Sequence, residues 1–263
     1  MPAPHVMNPS DQDSALTIRR LRRIFGEKVA VDDVDLTVDA GSFTGLLGPN
    51  GAGKSTLIGC AVDFDRPDAG VSAVFGHDVW EAPNQARRLM GCCRTTWHFR
   101  STCPAENCLV TGADCTAWSR QWWMPAPRSC SACSSWTGPR NGPWCSTTPP
   151  VYAKKIGLAV ALIHRPRLLV PDEPFEAIDP LSAIVIRQIL EQFITSGGSI
   201  IMSSHTMLLV EQICDSVAIM ASGRIVLSEA ISEIHCRGSL EEAFVHAAGS
   251  AESLVPRELS WLV

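Results

Sequence analysis

Residues 48–55 have the order Gly-Pro-Asn-Gly-Ala-Gly-Lys-Ser, which constrains this chain more than any other stretch. The apolar run 42–47 before it predicts a strand, and residues 54–62 after it predict a helix. Glycines in such a turn let backbone N–H groups surround phosphate oxygens, and the N-terminus of the helix adds partial positive charge there. The pattern therefore predicts a phosphate-binding loop in an α/β domain.

Two polar residues of this loop have expected roles in binding a nucleotide with its metal ion. Lys54 is expected to reach the β- and γ-phosphates, and the Ser55 hydroxyl to hold Mg²⁺. The nucleotide-binding residues predicted here are Gly48, Asn50, Gly51, Gly53, Lys54, Ser55 and Thr56.

A second apolar run, 168–171, ends in the two carboxylates of Asp172 and Glu173. Delivered beside a phosphate loop, Asp172 gives Mg²⁺ its second protein contact, and Glu173 is placed to orient or deprotonate an attacking water. His205 follows the apolar run 199–203 and is predicted to contact the γ-phosphate. Pro171 lies in the strand itself, so we expect it to weaken that strand and displace Asp172.

Strand and helix patterns alternate over most of the chain, which predicts a parallel sheet covered on both faces. The expected fold is an α/β P-loop NTPase core with a central parallel sheet and antiparallel edge strands at its N-terminal side. Helical periodicity is clearest over 181–194, where Ile186, Ile189, Leu190 and Phe193 share one face.

Composition narrows the class of partner. The formal net charge of −5 argues against a general affinity for nucleic acid, and the four arginines between Arg19 and Arg23 are expected on the solvent side of an edge strand. Residues 1–14 lack the pattern of a signal peptide, and no apolar run reaches 18 residues. We therefore expect a cytoplasmic chain that meets a membrane only through a partner.

These motifs resemble those of the ABC transporter ATP-binding family, over roughly 16–90 and 154–227. The glycine loop is similar to its Walker A motif, 168–173 to Walker B with the catalytic glutamate, 177–179 to the D-loop, and His205 to the switch histidine. Phe25, before Gly26, looks like the aromatic residue that stacks on adenine, and Asp179 is carried over as a nucleotide-binding residue. The loop and the stretch 172–180 look most like bacterial subunits of the exporter-like kind.

The resemblance implies ATP and Mg²⁺ as cofactors and ATP hydrolysis as the activity. It also implies a homodimer, or a pair of related subunits, that sandwiches two ATP molecules and drives a separate transmembrane permease. A soluble ATPase of the same family that acts on DNA or ribosomes, and a non-enzymatic remnant of a damaged gene, remain as alternatives.

The middle of the chain departs from this family. Eight of the 11 cysteines and six of the eight tryptophans lie between residues 91 and 150, a stretch without lysine or lasting periodicity. The family's Q-loop and its Leu-Ser-Gly-Gly-Gln signature should lie here, and neither is present. The expected division is a disordered tail 1–14, core 15–90, an aberrant segment 91–152, core 153–235 and a tail 236–263.

One hypothesis explains the aberrant segment as translation in the wrong frame. Cys and Trp codons both begin with TG, so reading one base upstream converts them into codons for Leu, Val or Met. With suitable third bases, codons 91–97 then give Val-Leu-Pro-Asp-Asp-Leu, similar to the family around the Q-loop. Codons 144–152 give Val-Leu-Asp-Tyr-Ser-Thr-Gly-Ile with the same offset, similar to a degenerate signature.

The rival hypothesis is a genuine inserted module. Two cysteine pairs, Cys103 with Cys108 and Cys130 with Cys133, could hold zinc, although their spacing is loose and no histidine pair accompanies them. A disulfide framework fits poorly with the expected cytoplasmic location.

Overall fold

The structure is a computed structural model that describes residues 14–93 and 150–248. Within these ranges the strands are β1 (Ser14–Phe25), β2 (Lys28–Asp39), β3 (Phe43–Leu47), β4 (Ala69–Val74), β5 (His77–Asp78), β6 (Met90–Cys93), β7 (Leu168–Pro171), β8 (Ser199–Ser204), β9 (Ser216–Ala221) and β10 (Arg224–Ala230). The helices there are α1 (Lys54–Ala61), α2 (Pro83–Leu89), α3 (Pro150–Leu162), α4 (Pro180–Thr195), α5 (Met207–Ile213), α6 (Ile231–Arg237) and α7 (Leu240–Ala248).

The central sheet has six strands in the order β10-β9-β3-β8-β7-β6. Strand β3 pairs in parallel with both β8 and β9, and β7 pairs in parallel with β6 and β8. Every residue of β3, β7 and β8 is buried, as expected for strands that are covered on both faces. The carboxyl ends of β3, β7 and β8 therefore meet at one edge of the sheet, and the glycine loop leaves from that edge.

A second sheet, ordered β2-β1-β4-β5, is antiparallel and forms the predicted N-terminal edge layer. In β2, Val34, Leu36 and Val38 are buried while Asp35 and Thr37 are exposed, so the predicted alternation is confirmed.

Helix α4 packs against the central sheet through the predicted face. Ile186 and Leu190 are buried and share a core cluster with Leu169 and Ile200, and the other two residues of that face, Ile189 and Phe193, pack against the same cluster. Pro180 begins the helix and Ser196 caps its end, which is within one residue of the range that periodicity predicted.

The ordered core extends further than the sequence indicated at two places. Strand β6 continues to Cys93, paired with β7 in parallel, whereas the sequence placed residues 91–93 in the aberrant segment. Gly91 packs so closely on α3 that a side chain there would overlap the Ala161 carbonyl. In the predicted C-terminal tail, α7 begins with Leu240, which is buried in a core cluster.

Pro171 does not displace Asp172. Strand β7 remains paired with β6 as far as Pro171, and the Asp172 N–H then donates to the Cys93 carbonyl at 2.8 Å. Asp172 also forms an isolated parallel bridge with Ser203 of β8. The missing N–H of Pro171 interrupts the ladder on the β8 side, where pairing stops at Leu169 and returns only at the Asp172 bridge. The β6 side stays paired through Pro171 and Asp172, so Asp172 keeps its place.

Within the residues that the structure describes, no helix combines the length and the apolar character needed to cross a membrane.

Burial makes three cysteine thiols poor nucleophiles. Burial raises the pKa of Cys60 and of Cys93 to about 11 each, and it raises the pKa of Cys214 as well. At pH 8 a thiol with such a pKa is ionised in about one molecule in a thousand, and only the thiolate reacts readily. Cys236 is exposed.

We therefore predict that iodoacetamide at pH 8 alkylates Cys236 in the folded chain much faster than Cys60, Cys93 or Cys214. Peptide mass spectrometry of samples quenched at successive times measures each rate, and the urea-unfolded chain is the control. Equal rates at all four positions in the folded chain would contradict the burial of Cys60, Cys93 and Cys214.

Candidate nucleotide site

The glycine loop connects β3 to α1 and is held in place by its neighbours. Gly53 has a φ of 107°, and any side chain there would overlap the Ala30 carbonyl of β2. A side chain at Gly48 would overlap the Met220 carbonyl of β9. Glycine at these two positions therefore lets the loop lie against β2 and β9.

Lys54 is the charged group at the centre of the loop. It is 6% exposed, and its ammonium donates to the carbonyls of Gly48 at 2.8 Å and Pro49 at 3.3 Å. The same ammonium lies 3.5 Å from Glu173 Oε1. The lysine thus joins the glycine loop to the carboxylate that follows β7.

Asp172 meets the start of α1 and the end of β8 with one carboxylate oxygen. Its Oδ1 accepts a hydrogen bond from the Ser55 hydroxyl at 3.1 Å and another from the Ser203 hydroxyl at 2.6 Å. Carboxylate and hydroxyl oxygens are the ligands that Mg²⁺ prefers. Ser55 and Asp172, the two predicted metal ligands, are therefore in direct contact.

Glu173 lies between Lys54 and His205. Its Oε1 faces the Lys54 ammonium, and its Oε2 lies 3.0 Å from His205 Nδ1. The imidazole is 43% exposed, so it faces the open side of the site and can meet a ligand that enters there. Both predicted catalytic residues thus lie at the same end of the sheet as the loop.

The other predicted nucleotide-binding residues lie on β1, on the loop and on α1. Phe25 ends β1 with its ring half-exposed, and the Arg23 guanidinium carbon lies over that ring, 4.6 Å from its centroid. Asn50 and Gly51 are exposed at the tip of the loop, and Thr56 is partly buried in α1. Their contacts with nucleotide remain predictions.

Asp179 has a structural role that the sequence did not indicate. It is the N-cap of α4 and accepts a hydrogen bond from the Ser182 N–H at 2.9 Å. Hydrogen bonds from Ser182 lower the pKa of its carboxyl. Its predicted contact with nucleotide remains a prediction.

Sequence reasoning missed two residues of the site. The sequence predicts Ser203 only as the end of a strand, but its hydroxyl donates to Asp172 and also accepts a hydrogen bond from the Glu173 N–H at 2.8 Å. The sequence predicts Lys154 only as the start of regular structure, but it is 7% exposed and contacts the loop after β7. Two adjacent serines at the end of a buried strand, Ser203 and Ser204, were the available signal.

Lys154 holds the turn that carries Glu173. Its ammonium donates to the Glu173 carbonyl at 2.8 Å and also to the Glu176 carbonyl. Burial lowers the pKa of this lysine, and the Glu176 carboxylate partly offsets that effect. Helix α3 is thereby tied to the segment between β7 and α4.

Several sequence predictions lie outside the described residues. These are the expected Q-loop and signature region, the zinc alternative at Cys103, Cys108, Cys130 and Cys133, and the tail 1–13.

Comparison with known proteins shows the family of this chain. The family model described as ABC transporter matches residues 31–136. A Nod factor export ATP-binding protein I of Rhizobium sp. (strain N33) is 31% identical over 213 residues, which span 80% of this chain and 69% of that protein. The chain belongs to the ABC transporter ATP-binding family. The daunorubicin/doxorubicin resistance ATP-binding protein DrrA of Streptomyces peucetius is 28% identical over 84% of this chain and 66% of its own length.

Solved ABC cassettes share the fold. The ATP-binding subunit of an ABC transporter superposes with a TM-score of 0.68 at 23% identity and covers 89% of this chain and 100% of its own. The ADP form of the cassette MJ1267 gives a TM-score of 0.67 at 22% identity, over 88% and 98% of the two chains. The chain spans about two thirds of the length of the curated relatives it matches.

The contacts of Lys154 predict a specific loss of stability. We expect Lys154→Met to lower the free energy of unfolding by about 1–3 kcal/mol, because two partly buried hydrogen bonds lose their charged donor. Lys155→Met, which removes a charge from the next and less buried residue of the same helix, should change it by less than about 0.5 kcal/mol. Urea titration measures both variants, and equal losses would show that the carbonyl contacts contribute nothing.

Proposed function

We propose that this chain is the ATP-binding subunit of an ABC transporter and that its described core binds ATP with Mg²⁺. The observation that carries the proposal is the convergence of Lys54, Ser55, Asp172, Glu173 and His205 at one end of the central sheet. Such a set combines a phosphate cradle, a pair of hard oxygen ligands and a carboxylate beside an imidazole.

The residues present fit a magnesium-bound nucleotide. Ser55 Oγ and Asp172 Oδ1 are 3.1 Å apart and would hold Mg²⁺, which neutralises charge on the phosphates when it is bound. Lys54 now donates to two loop carbonyls. With a nucleotide bound, its ammonium would donate to phosphate oxygens instead and would stay buried. The loop amides and the N-terminus of α1 would complete the cradle.

Glu173 and His205 are positioned for the hydrolytic half of the reaction. Glu173 would accept a proton from, or orient, the water that attacks the γ-phosphate. His205 is hydrogen-bonded to Glu173 and half-exposed, so it can fix that carboxylate and also reach a phosphate. Lys154 and Ser203 hold the backbone of Glu173 from opposite sides.

We further propose that the subunit works as a pair and drives a separate permease at the inner face of the cell membrane. Membership of the family and the known relatives support this assignment. Two of those relatives are named for drug resistance and for Nod factor export, which favours export over import. A methionine import ATP-binding protein is also similar, at 29% identity. The proposal of export therefore rests on the similarity to the drug-resistance and Nod factor export proteins.

The chain as written should hydrolyse ATP poorly. In this family the signature sequence of one subunit completes the ATP site of the other, and residues 94–149 contain no such sequence. We propose that this segment is a product of the wrong reading frame. Strand β6 supports this proposal. Reading one base upstream keeps Gly91 and replaces Cys92 and Cys93, which lie in this core strand, with Val and Leu.

Nucleotide binding is tested by thermal unfolding. With ATP and Mg²⁺ at about 100 times the dissociation constant, we expect the Tm of the chain to rise by about 5–10 °C. Lys54→Ala should abolish the rise because it removes the phosphate-binding ammonium. Lys28→Ala, which removes an exposed lysine at the start of β2, should leave it intact.

A chain whose Tm is unchanged by ATP and Mg²⁺ would contradict the proposal and favour a non-functional remnant. A rise that survives in Lys54→Ala would show that nucleotide binds somewhere other than the glycine loop.

The reading-frame proposal is tested by peptide mapping of the protein purified from its native cells. We expect peptides of the shifted frame, including Val-Leu-Pro-Asp-Asp-Leu after Gly91, and an ATPase with an intact signature. Peptides rich in Cys and Trp from residues 94–149 would show that the printed segment is translated. The chain would then be a nucleotide-binding protein with impaired hydrolysis.

A further inference from the structure

Ser203 is a fully buried hydroxyl that contacts both acidic residues of the site. It lies near the end of β8, and its Oγ is 2.6 Å from Asp172 Oδ1 and 2.8 Å from the Glu173 N–H nitrogen. A hydroxyl has one proton to donate and lone pairs with which to accept. Here it donates to the Asp172 carboxylate and accepts from the Glu173 backbone, so both capacities are used.

These two bonds act where the backbone leaves its regular strand conformation. Asp172 still forms a bridge to Ser203, but the next residue, Glu173, has a φ of 49°, which is rare for a residue with a side chain. A conformation of this kind persists only where surrounding contacts hold it. The bond from the Glu173 N–H to Ser203 is one such contact, and the Lys154 bond to the Glu173 carbonyl is another.

The Asp172 carboxylate is also fixed by this serine. Its Oδ1 is shared between Ser203 and Ser55 in the structure. If Ser55 turns toward Mg²⁺, the bond from Ser203 remains and keeps the carboxylate from rotating. Hydrogen bonds of this kind to a metal-binding carboxylate orient it, and their loss typically lowers metal affinity about 10–100-fold.

We propose that Ser203 is a positioning residue for Mg²⁺-dependent nucleotide binding. It holds Asp172 toward the metal position next to Ser55 and fixes the backbone that directs Glu173. This role of Ser203 rests on the proposed function. Through Ser203, strand β8 orients the Asp172 carboxylate toward the metal position.

The neighbouring serine provides a matched control. Ser204 is also buried in β8, but its hydroxyl accepts from the Thr206 N–H at 3.0 Å and so serves the turn that leads into α5. Each serine-to-alanine change removes one buried hydroxyl, and the two positions are adjacent in β8. Only the change at Ser203 should alter the response to Mg²⁺.

The test measures the dissociation constant of ATP by calorimetric titration, with Mg²⁺ and with EDTA, for the wild-type chain and its variants. In Ser203→Ala we expect ATP to bind at least about tenfold more weakly than in wild type when Mg²⁺ is present, and equally when EDTA is present. Ser204→Ala should match wild type in both media. Ser203→Thr, which keeps the hydroxyl, should restore the Mg²⁺ effect.

The outcomes separate this inference from the proposed function. If Mg²⁺ strengthens ATP binding to the same degree in wild type and Ser203→Ala, the role of Ser203 is overturned and the nucleotide site stands. If Mg²⁺ does not strengthen ATP binding to wild type, the proposed function fails and this inference fails with it. A general loss of folding in Ser203→Ala would weaken binding in both media, which also counts against a specific role.

Discussion

The site depends on one shared oxygen, Asp172 Oδ1, which accepts hydrogen bonds from Ser55 and Ser203. Through it, the start of α1 and the ends of β7 and β8 meet, although the three come from distant parts of the chain. The parallel sheet makes this contact possible because the carboxyl ends of its strands lie at the same edge.

Charge is balanced within the same small region. Lys54 and Lys154, both largely buried, each contact the segment that follows β7, Lys54 through the Glu173 carboxylate and Lys154 through the Glu173 carbonyl. Each lysine also uses backbone carbonyls as acceptors, which stabilises its buried ammonium. In the proposed nucleotide site Lys54 would exchange its carbonyls for phosphate oxygens, whereas the contacts of Lys154 hold the turn in place.

The sequence predicted the parts of this site that lie within short, local patterns. The glycine loop, the carboxylate pair after an apolar strand and His205 after another each have a signature within a few residues, and the structure brings them together. Ser203 and Lys154 were missed because their roles depend on contacts with residues 30 and 19 positions away along the chain. The sequence places residues 91–93 in the aberrant segment because Cys92 and Cys93 resemble the residues that follow them, while only pairing with β7 shows that they belong to the core. The surroundings of Pro171 likewise depend on a distant partner, because the Asp172 N–H after it donates to the Cys93 carbonyl of β6.

The most direct test of the account is a structure of this chain with ATP and Mg²⁺. We predict that Lys54 leaves the Gly48 and Pro49 carbonyls for phosphate oxygens and that the Ser55 hydroxyl leaves Asp172 for the metal. The contact between Ser203 and Asp172 should remain. A nucleotide bound away from the glycine loop, or a Lys54 that still donates to the Gly48 carbonyl beside bound ATP, would contradict the account.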